Sequence, residues 1–559
     1  MRTLARTLIY LLLAGGAAVF AFPFLWMAAT SVKVDRELHT EEFRLLPMTP
    51  RPEIRSPYVD SHNYSHLDGP FQDLLLPRLE ALVAQSGFLP PPSIDPAAAG
   101  VQIARGLYRK FRQRLPPHLW AGKSKEGQPI GPTEAVVDAL VAAARDEITP
   151  EMIAESFDKV YRRLCMGPIR IRGYDREELE LGRPMPLSER LENLTPESLT
   201  VRDVVDGGEA FALLQYDFSR TKRVVLSQTF TAPASFDLEN LYKLWVDIRP
   251  DDTWHELWLR AECNGKQWRA RRAFPLANRQ VIKVLWQPPG PDDDSGKVKN
   301  WIRLEPIGPA PASDPSQIKL TFEFLRVGQA GAWWNKLSLN YLRTLEYLPL
   351  GRYLRISLFL VIANIVLTVV VSSLVAYAFA RLHWPGRDFC FLLMLATMMI
   401  PSQVTMIPQF LIWKSLGAYN TLTPLWLGPS FGNAFFVFLL RQFMKGVPTD
   451  LEDAARLDGC GFLRIYWYVM LPLIKPSLAA IAIFTFLGSW NDFMGPLIYI
   501  ADERLYPLAF GLYAYSVEVG NDPALTMAAS FMMTVPVIVI FFFAQKYFIQ
   551  GITLTGMKG

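Results

Sequence analysis

The chain of 559 residues is 50% hydrophobic and 20% charged, with a formal net charge of +4. That composition is too apolar for a protein wholly in water and too charged for one wholly in lipid, and the length admits about two to four domains. The small net charge says nothing about nucleic acid, but no basic run interleaved with aromatics appears, and that class of partner is rejected. The scattered Cys165, Cys263, Cys390 and Cys460 exclude a cysteine metal centre, and no metal site is expected.

The first apolar run covers residues 8–29, with Arg2 and Arg6 ahead of it. It has the length of a bilayer crossing, about 20 residues. A cleavable signal peptide is the rival reading, but no clean small-x-small site follows. Domain 1–32 therefore reads as a retained span with its N-terminus inside.

Residues 33–340 contain no spanning run. By alternation this insert is extracytoplasmic. Its first part, 33–199, reads as mainly helical and linker. Asp95-Pro96 and Thr149-Pro150-Glu151 are cap-then-proline helix starts, and Val136, Val137, Leu140 and Val141 line one helical face. The proline-rich stretch Gly87–Pro96 reads as linker. Gly122-Lys123-Ser124 imitates the end of a phosphate-binding loop, but Pro117 stands where its first glycine should be. Cys165 and Cys263 both fall in the insert, where a disulfide or two unpaired thiols remain open.

The second part, 200–330, reads as a β-sandwich. Leu241–Ile248, Trp254–Cys263, Lys266–Ala273, Gln280–Gln287 and Gln317–Leu325 are short, β-branched or aromatic, and bounded by turn residues. Asn264-Gly265 between two alternating runs is a hairpin signal. Trp245, Trp254, Trp258, Trp268 and Trp286 invite a sugar-stacking reading, but sandwich core is preferred. No catalytic constellation stands out, so no enzyme activity is assigned.

The last region, 341–559, holds five further apolar runs, near 353–380, 388–413, 424–444, 474–500 and 524–548. The loops assigned to the cytoplasm carry Arg381, Arg387, Arg441, Lys445, Arg456 and Arg464, which agrees with the positive-inside rule. Asn491 and Asp492 lie within an otherwise apolar run, and Asn364 and Asn433 are candidates of the same kind. Polar groups at such depth line a path or bond between helices.

Between the fourth and fifth runs lies the loop 448–472. Five charged side chains from Asp450 to Asp458 keep it in water. Thr449 or Asp450 can cap a helix whose first turn holds Glu452 and Asp453. Asp458-Gly459 then forces a turn, and a second helix is expected from Phe462 to Met470, ending before Leu471-Pro472. The order Asp453-Ala454-Ala455, three residues, Gly459, nine residues, Val469, one residue, Leu471-Pro472 resembles the EAA coupling motif of ABC importer permeases. Asp453 and Val469 depart mildly from the motif's preferred Glu and Ile, and Glu452 offers a carboxylate one position earlier.

Over 341–559 the chain is similar to carbohydrate-importer permeases related to the second membrane subunit of the maltose importer. Ala376–Arg381, Met399-Ile400-Pro401, Phe438–Phe443, Gly488–Phe493 and the tail Gly551–Gly559 carry the likeness. It implies an α-helical polytopic membrane protein with six spans, of the ABC importer type I permease kind, interrupted by an inserted domain unusual for the family. It further implies that Glu452, Asp453, Ala454, Ala455, Gly459, Leu471 and Pro472 contact an ABC ATPase dimer, and that Gly556, Lys558 and Gly559 reach it through the tail. The expected partners are that ATPase, a second permease subunit, an extracytoplasmic solute-binding protein, a carbohydrate and membrane lipid. The chain would hold no cofactor, since ATP and Mg belong to the ATPase. The expected location is the inner membrane, with both termini cytoplasmic. The alternative is a membrane-anchored extracytoplasmic carbohydrate-binding or sensor protein that uses its spans as scaffold.

Overall fold

The computed structural model describes residues 2–552 except 39–43, 57, 60–71, 91–93, 115–127, 129–133, 135–136, 139–140, 143–147, 174–177, 182–190, 207–208, 232–240, 264, 290–298, 310–316 and 519–521. The tail residues Gly556, Lys558 and Gly559, the Gly122-Lys123-Ser124 stretch, Asn264, Val136 and Leu140 lie outside the described residues. The chain divides into two units, Val34–Ser338 and a unit made of Met1–Lys33 with Leu339–Gly559.

The insert unit begins with a helical layer. Helix α2, Gln72–Gln85, and α3, Pro96–Arg114, pack with α4, Pro150–Val160, around Leu79, Ile103, Leu107 and Ile153. Asp95 caps α3 by accepting from the amides of Ala97 and Ala98, and Thr149 caps α4 by accepting from Met152 N. Both helices start where cap-then-proline placed them.

The described residues hold fifteen strands, β1 to β15, of which the long ones are β3 Leu164–Gly173, β6 Leu199–Asp206, β7 Glu209–Tyr216, β8 Arg223–Thr231, β9 Leu241–Arg249, β10 Glu256–Cys263, β11 Lys266–Ala270, β13 Ile282–Gln287, β14 Trp301–Pro309 and β15 Gln317–Leu325. Their order is β8-β15-β10-β11-β14-β13-β9-β3-β7-β6, antiparallel except for the β13–β14 pair. Four strand spacings separate β13 from β15, about 19 Å in a flat sheet. Yet the rings of Trp286 on β13 and Phe322 on β15 lie 6.4 Å apart. The sheet therefore folds over itself and encloses one apolar core.

Trp245, Trp254 and Trp286 are buried, Trp245 in a small cluster with Leu285 and Trp301, and Trp258 and Trp268 pack against the core, in line with the core reading. The β10–β11 hairpin turns through Gly265 at φ 68°. One boundary is corrected. A two-stranded pair joins Tyr58–Val59 to Tyr161–Arg162, and the large sheet begins at Leu164, inside the stretch expected to be helical and linker up to 199. Gly167-Pro168 reads as a breaker in sequence, but the strand absorbs it as a register shift between Met166 and Ile169. The unit's ends are tied together: buried Lys336 pairs with Glu37, and Arg36 with Asp252.

In the other unit, α1 (Arg2–Ser31), α6 (Leu350–Arg381) and the last helix, α14 (Pro523–Ile552), contain apolar stretches long enough to cross a membrane. Before α6 comes α5, Gln329–Tyr347. Asn340 on α5 donates to the carbonyls of Ser31 and Lys33, which closes the end of α1. Two further apolar helix pairs are sharply bent. Helix α7, Arg387–Thr397, meets α8, Ser402–Ser415, at 100°, and Phe462–Leu473 meets α12, Lys475–Trp490, at 80°.

The expected apolar runs are not all single helices. Among the described residues three helices qualify outright, or five crossings with the bent pairs counted. The run at 388–413 breaks because Pro401 lacks an amide proton and forces the residue before it to extend. The run at 424–444 is interrupted by Gly432 at φ 96°, and α9 starts only at Ala434 and ends at Lys445. The run at 474–500 stops at Trp490 and resumes as Met494–Tyr499.

Candidate coupling loop and polar helix breaks

The loop after α9 folds as anticipated up to its turn. Helix α10 runs Asp450–Leu457, with Asp450, Glu452 and Asp453 in its first turn at the positive end of its dipole. Thr449 stands at the N-cap position but forms no side-chain cap bond. Gly459 adopts φ 80°, the left-handed turn expected of it, and Cys460 N closes back on Ala455 O. The second helix departs from expectation. Helix α11, Phe462–Ile465, passes into one wide π-type turn, Tyr466–Met470, and then continues through Leu471–Leu473. Leu471-Pro472 does not end it. The proline sits at the start of a fresh turn, where its missing N–H leaves no carbonyl unanswered, and the chain bends at Ile474 instead.

The residues of the expected contact surface separate into two groups. Asp453, Ala454, Gly459 and Pro472 are exposed, and Asp453 pairs only with Arg456 on its own helix at 3.2 Å. Ala455 and Leu471 are half-buried against the unit's core. Glu452 points the other way and is 3% exposed. Its Oε1 lies 2.8 Å from Nε of Arg381, the last residue of α6. Arg381 in turn donates to the carbonyls of Met444 and Val447, at 2.6 Å each. A buried carboxylate without a cation would be strongly destabilising, so this guanidinium is what permits Glu452 its position.

Sequence reasoning missed the most conspicuous feature of this surface. Leu451, Leu457, Phe462, Leu463, Trp467 and Tyr468 are all exposed, Leu457 at 90%. Their alternation with the charged residues was visible as amphipathic helix. Which face was left uncovered was not, because that depends on Ile465, Tyr466 and Met470 taking the inward positions. Tyr466 bonds Ser373 on α6 at 2.6 Å, and its ring lies 5.4 Å from that of Tyr377.

The polar residues at membrane depth sit at helix breaks and helix contacts. Asn364 is buried on α6 and donates to Leu425 O and Ser489 Oγ, at 3.2 and 2.8 Å. Its own Oδ1 has no partner. Asn491 is the C-cap of α12 and donates back to Leu487 O, while Asp492 accepts from Gly495 N, so the two cover the backbone groups freed between Trp490 and Met494. They sit inside the apolar run, at the break between α12 and the short helix Met494–Tyr499. Asn433 caps α9 by accepting from Phe435 N and Phe436 N. Through Ser489 the structure brings Asn364 near the Asn491 break, while Asn433 serves its own helix.

Residues 368–554 match the family model described as binding-protein-dependent transport system inner membrane component. The chain is 41% identical over 203 residues to the arabinooligosaccharide transport permease AraQ of Halalkalibacterium halodurans, covering 36% of this chain and 72% of that protein. The AraQ protein of Bacillus subtilis is 38% identical over the same length and shares. The permease GgtD for uptake of osmoprotective compounds in Synechocystis is 29% identical over 251 residues, 44% of this chain and 84% of that protein.

Proposed function

Because the chain belongs to the family of binding-protein-dependent transport system inner membrane components, we propose that it is the permease subunit that carries an oligosaccharide across the cytoplasmic membrane by alternating access. The substrate class follows from relatives named for arabinooligosaccharides. ATP is hydrolysed by a separate ATPase dimer that seats on the loop at Asp450–Leu473. The observation that carries this reading is the exposed apolar tip around Leu457 and Phe462, held on a helix pair anchored from within by Glu452 and Tyr466. Large apolar side chains left in water beside charged ones mark a protein contact.

Six crossings account for the family topology: α1, α6, the bent pair at 387–415, the interrupted segment at 423–445, the segment around α12, and α14. Both termini and the loop are then cytoplasmic, and the insert is extracytoplasmic. The Asn364–Ser489–Asn491 region supports a polar path for a hydroxyl-rich solute. The tail Gly556, Lys558 and Gly559 is proposed to reach the same ATPase.

Leu457→Asp is the direct test. The substitution leaves the fold intact at so exposed a site and should remove the ATPase from the purified complex; full retention of the ATPase would sink the docking assignment. Uptake of a labelled arabinooligosaccharide by cells carrying the chain and its partners tests the substrate class. The insert is proposed to engage the solute-binding protein or the sugar itself. Deleting residues 40–335 should abolish stimulation by the binding protein, and unchanged stimulation and uptake would reject both roles.

A further inference from the structure

The docking loop touches the rest of its unit at a few defined points, and they converge on one helix. Glu452 is the one residue of α10 that is buried among the described residues. Its ion-pair partners are Arg456 on the same helix and Arg381 on α6. The Arg381 side chain is 8% exposed; its Nε lies 2.8 Å from Glu452 Oε1 as an ion pair, and its Nη2 donates to the carbonyls of Met444 and Val447, which frame the entry to the loop. A planar guanidinium holds this ion pair and the two carbonyl bonds in one fixed geometry, whereas a lysine ammonium is a compact point charge. One turn and two turns up the same helix, Tyr377 and Ser373 hold Tyr466 of the second loop helix. Further along, α6 carries Asn364, which bonds Ser489 of α12. From Arg381 to Arg355 in its first exposed turns, α6 runs unbroken for about 40 Å.

We propose that Arg381 is the positioning residue that transmits movement of the docked loop to α6, with Glu452 as an internal anchor rather than a contact to the ATPase. This rests on the reading of the loop as the ATPase docking site. It divides the two neighbouring carboxylates by role: Asp453 faces outward, and Glu452 faces Arg381. The physical reason is leverage. A push on the apolar tip can move α6 as a body only if the first loop helix cannot slide over it, and the Arg381 fork fixes α10 and the chain entering it to the same helix end.

The test uses the complete complex with its ATPase, in a chain whose native cysteines are replaced by alanine. Spin labels are placed at Arg355→Cys on α6 and Val517→Cys on the helix Leu508–Glu518, both exposed positions. In the parent, trapping with ATP and vanadate should shift the interspin distance distribution. The double variant Arg381→Met with Glu452→Met removes the link without stranding a buried charge. It should keep ATPase co-purification and ATP turnover but lose the shift, and Arg381→Lys should show a reduced shift. The proposal is overturned if the double variant shifts as the parent does. It is equally overturned if the parent shows no shift, or if the double variant is present at parental yield but loses its ATPase, since the pair would then belong to the docking surface. A faulty docking assignment reports separately, through Leu457→Asp retaining the ATPase. A merely structural role would lower yield, co-purification and turnover together.

Discussion

Gly459 shows how much one residue can be legible in sequence. Its φ of 80° is the turn that an Asp-Gly pair between two helical patterns demands. A Cβ built there would meet nothing within 4 Å, so any penalty comes from backbone conformation alone. Gly459→Ala should therefore cost about 1–2 kcal/mol locally and weaken ATPase association modestly, measured by co-purification. Gly459→Arg adds a bulky charge on the docking side and should abolish it. Glu452 is the opposite case. Sequence made it the equal of Asp453, both acidic residues in the first turn of one helix. A step of one residue rotates the side chain by roughly 100° about the axis, and that rotation carries Glu452 onto Arg381 while leaving Asp453 in water.

At the scale of elements, periodicity located helices and strands better than it located their interruptions. The β-strand ends at 241, 263, 266, 287, 317 and 325 coincide with those read from turn residues. The membrane helices, by contrast, are broken at Met398–Pro401, Gly432 and Asn491–Asp492, where hydrophobicity alone suggested continuity. A second inter-element device could not be read at all. His255, just before β10, bonds Glu53 O through Nε2 at 2.7 Å and accepts Val327 N at Nδ1, tying the start of the unit to the chain leaving β15.

Burial holds the His255 imidazole below its ordinary pKa, against the pull of nearby Asp251. A proton at Nδ1 would also displace the Val327 amide. The unfolded chain thus takes up more protons as pH falls through about 6.5, and the stability His255 contributes is lost there. Buried Asp251 has its pKa raised by desolvation and works in the opposite sense. The clean readout is therefore the difference between the parent and His255→Gln. That difference should shrink between about pH 7 and pH 5, by up to about 1.4 kcal/mol per pH unit, measured by chemical unfolding of the insert.

At the scale of the whole molecule, the insert carries its own core and its own closure. The sheet's two halves share one apolar cluster, the helical layer has a second, and Lys336–Glu37 joins the segments that begin and end the unit. A fragment spanning 34–338 should therefore fold alone, with a cooperative thermal transition and tryptophan emission typical of buried indoles. A fragment that stays unfolded would show that the membrane unit completes its core. The first and last helices, α1 and α14, are the converse: they are long apolar surfaces, and their burial depends on lipid and neighbours rather than on a core of their own.

What the sequence by itself determined is what local chemistry dictates. Apolar length marked the long helices, turn residues the strand ends, cap-then-proline pairs the helix starts, and the spacing from Asp453 to Pro472 the resemblance to the permease family. What only the tertiary structure decided is which side chains meet across distance. Arg381 and Glu452 stand more than seventy residues apart, and nothing in either neighbourhood announces the other. Trp286 and Phe322 meet because the sheet folds over, and Leu457 is left bare because Ile465 and Tyr466 fill the inward positions. Local patterns are set by period and propensity within one segment. Pairing of buried charges and exposure of apolar tips are settled by the packing of segments against one another, which no single stretch encodes.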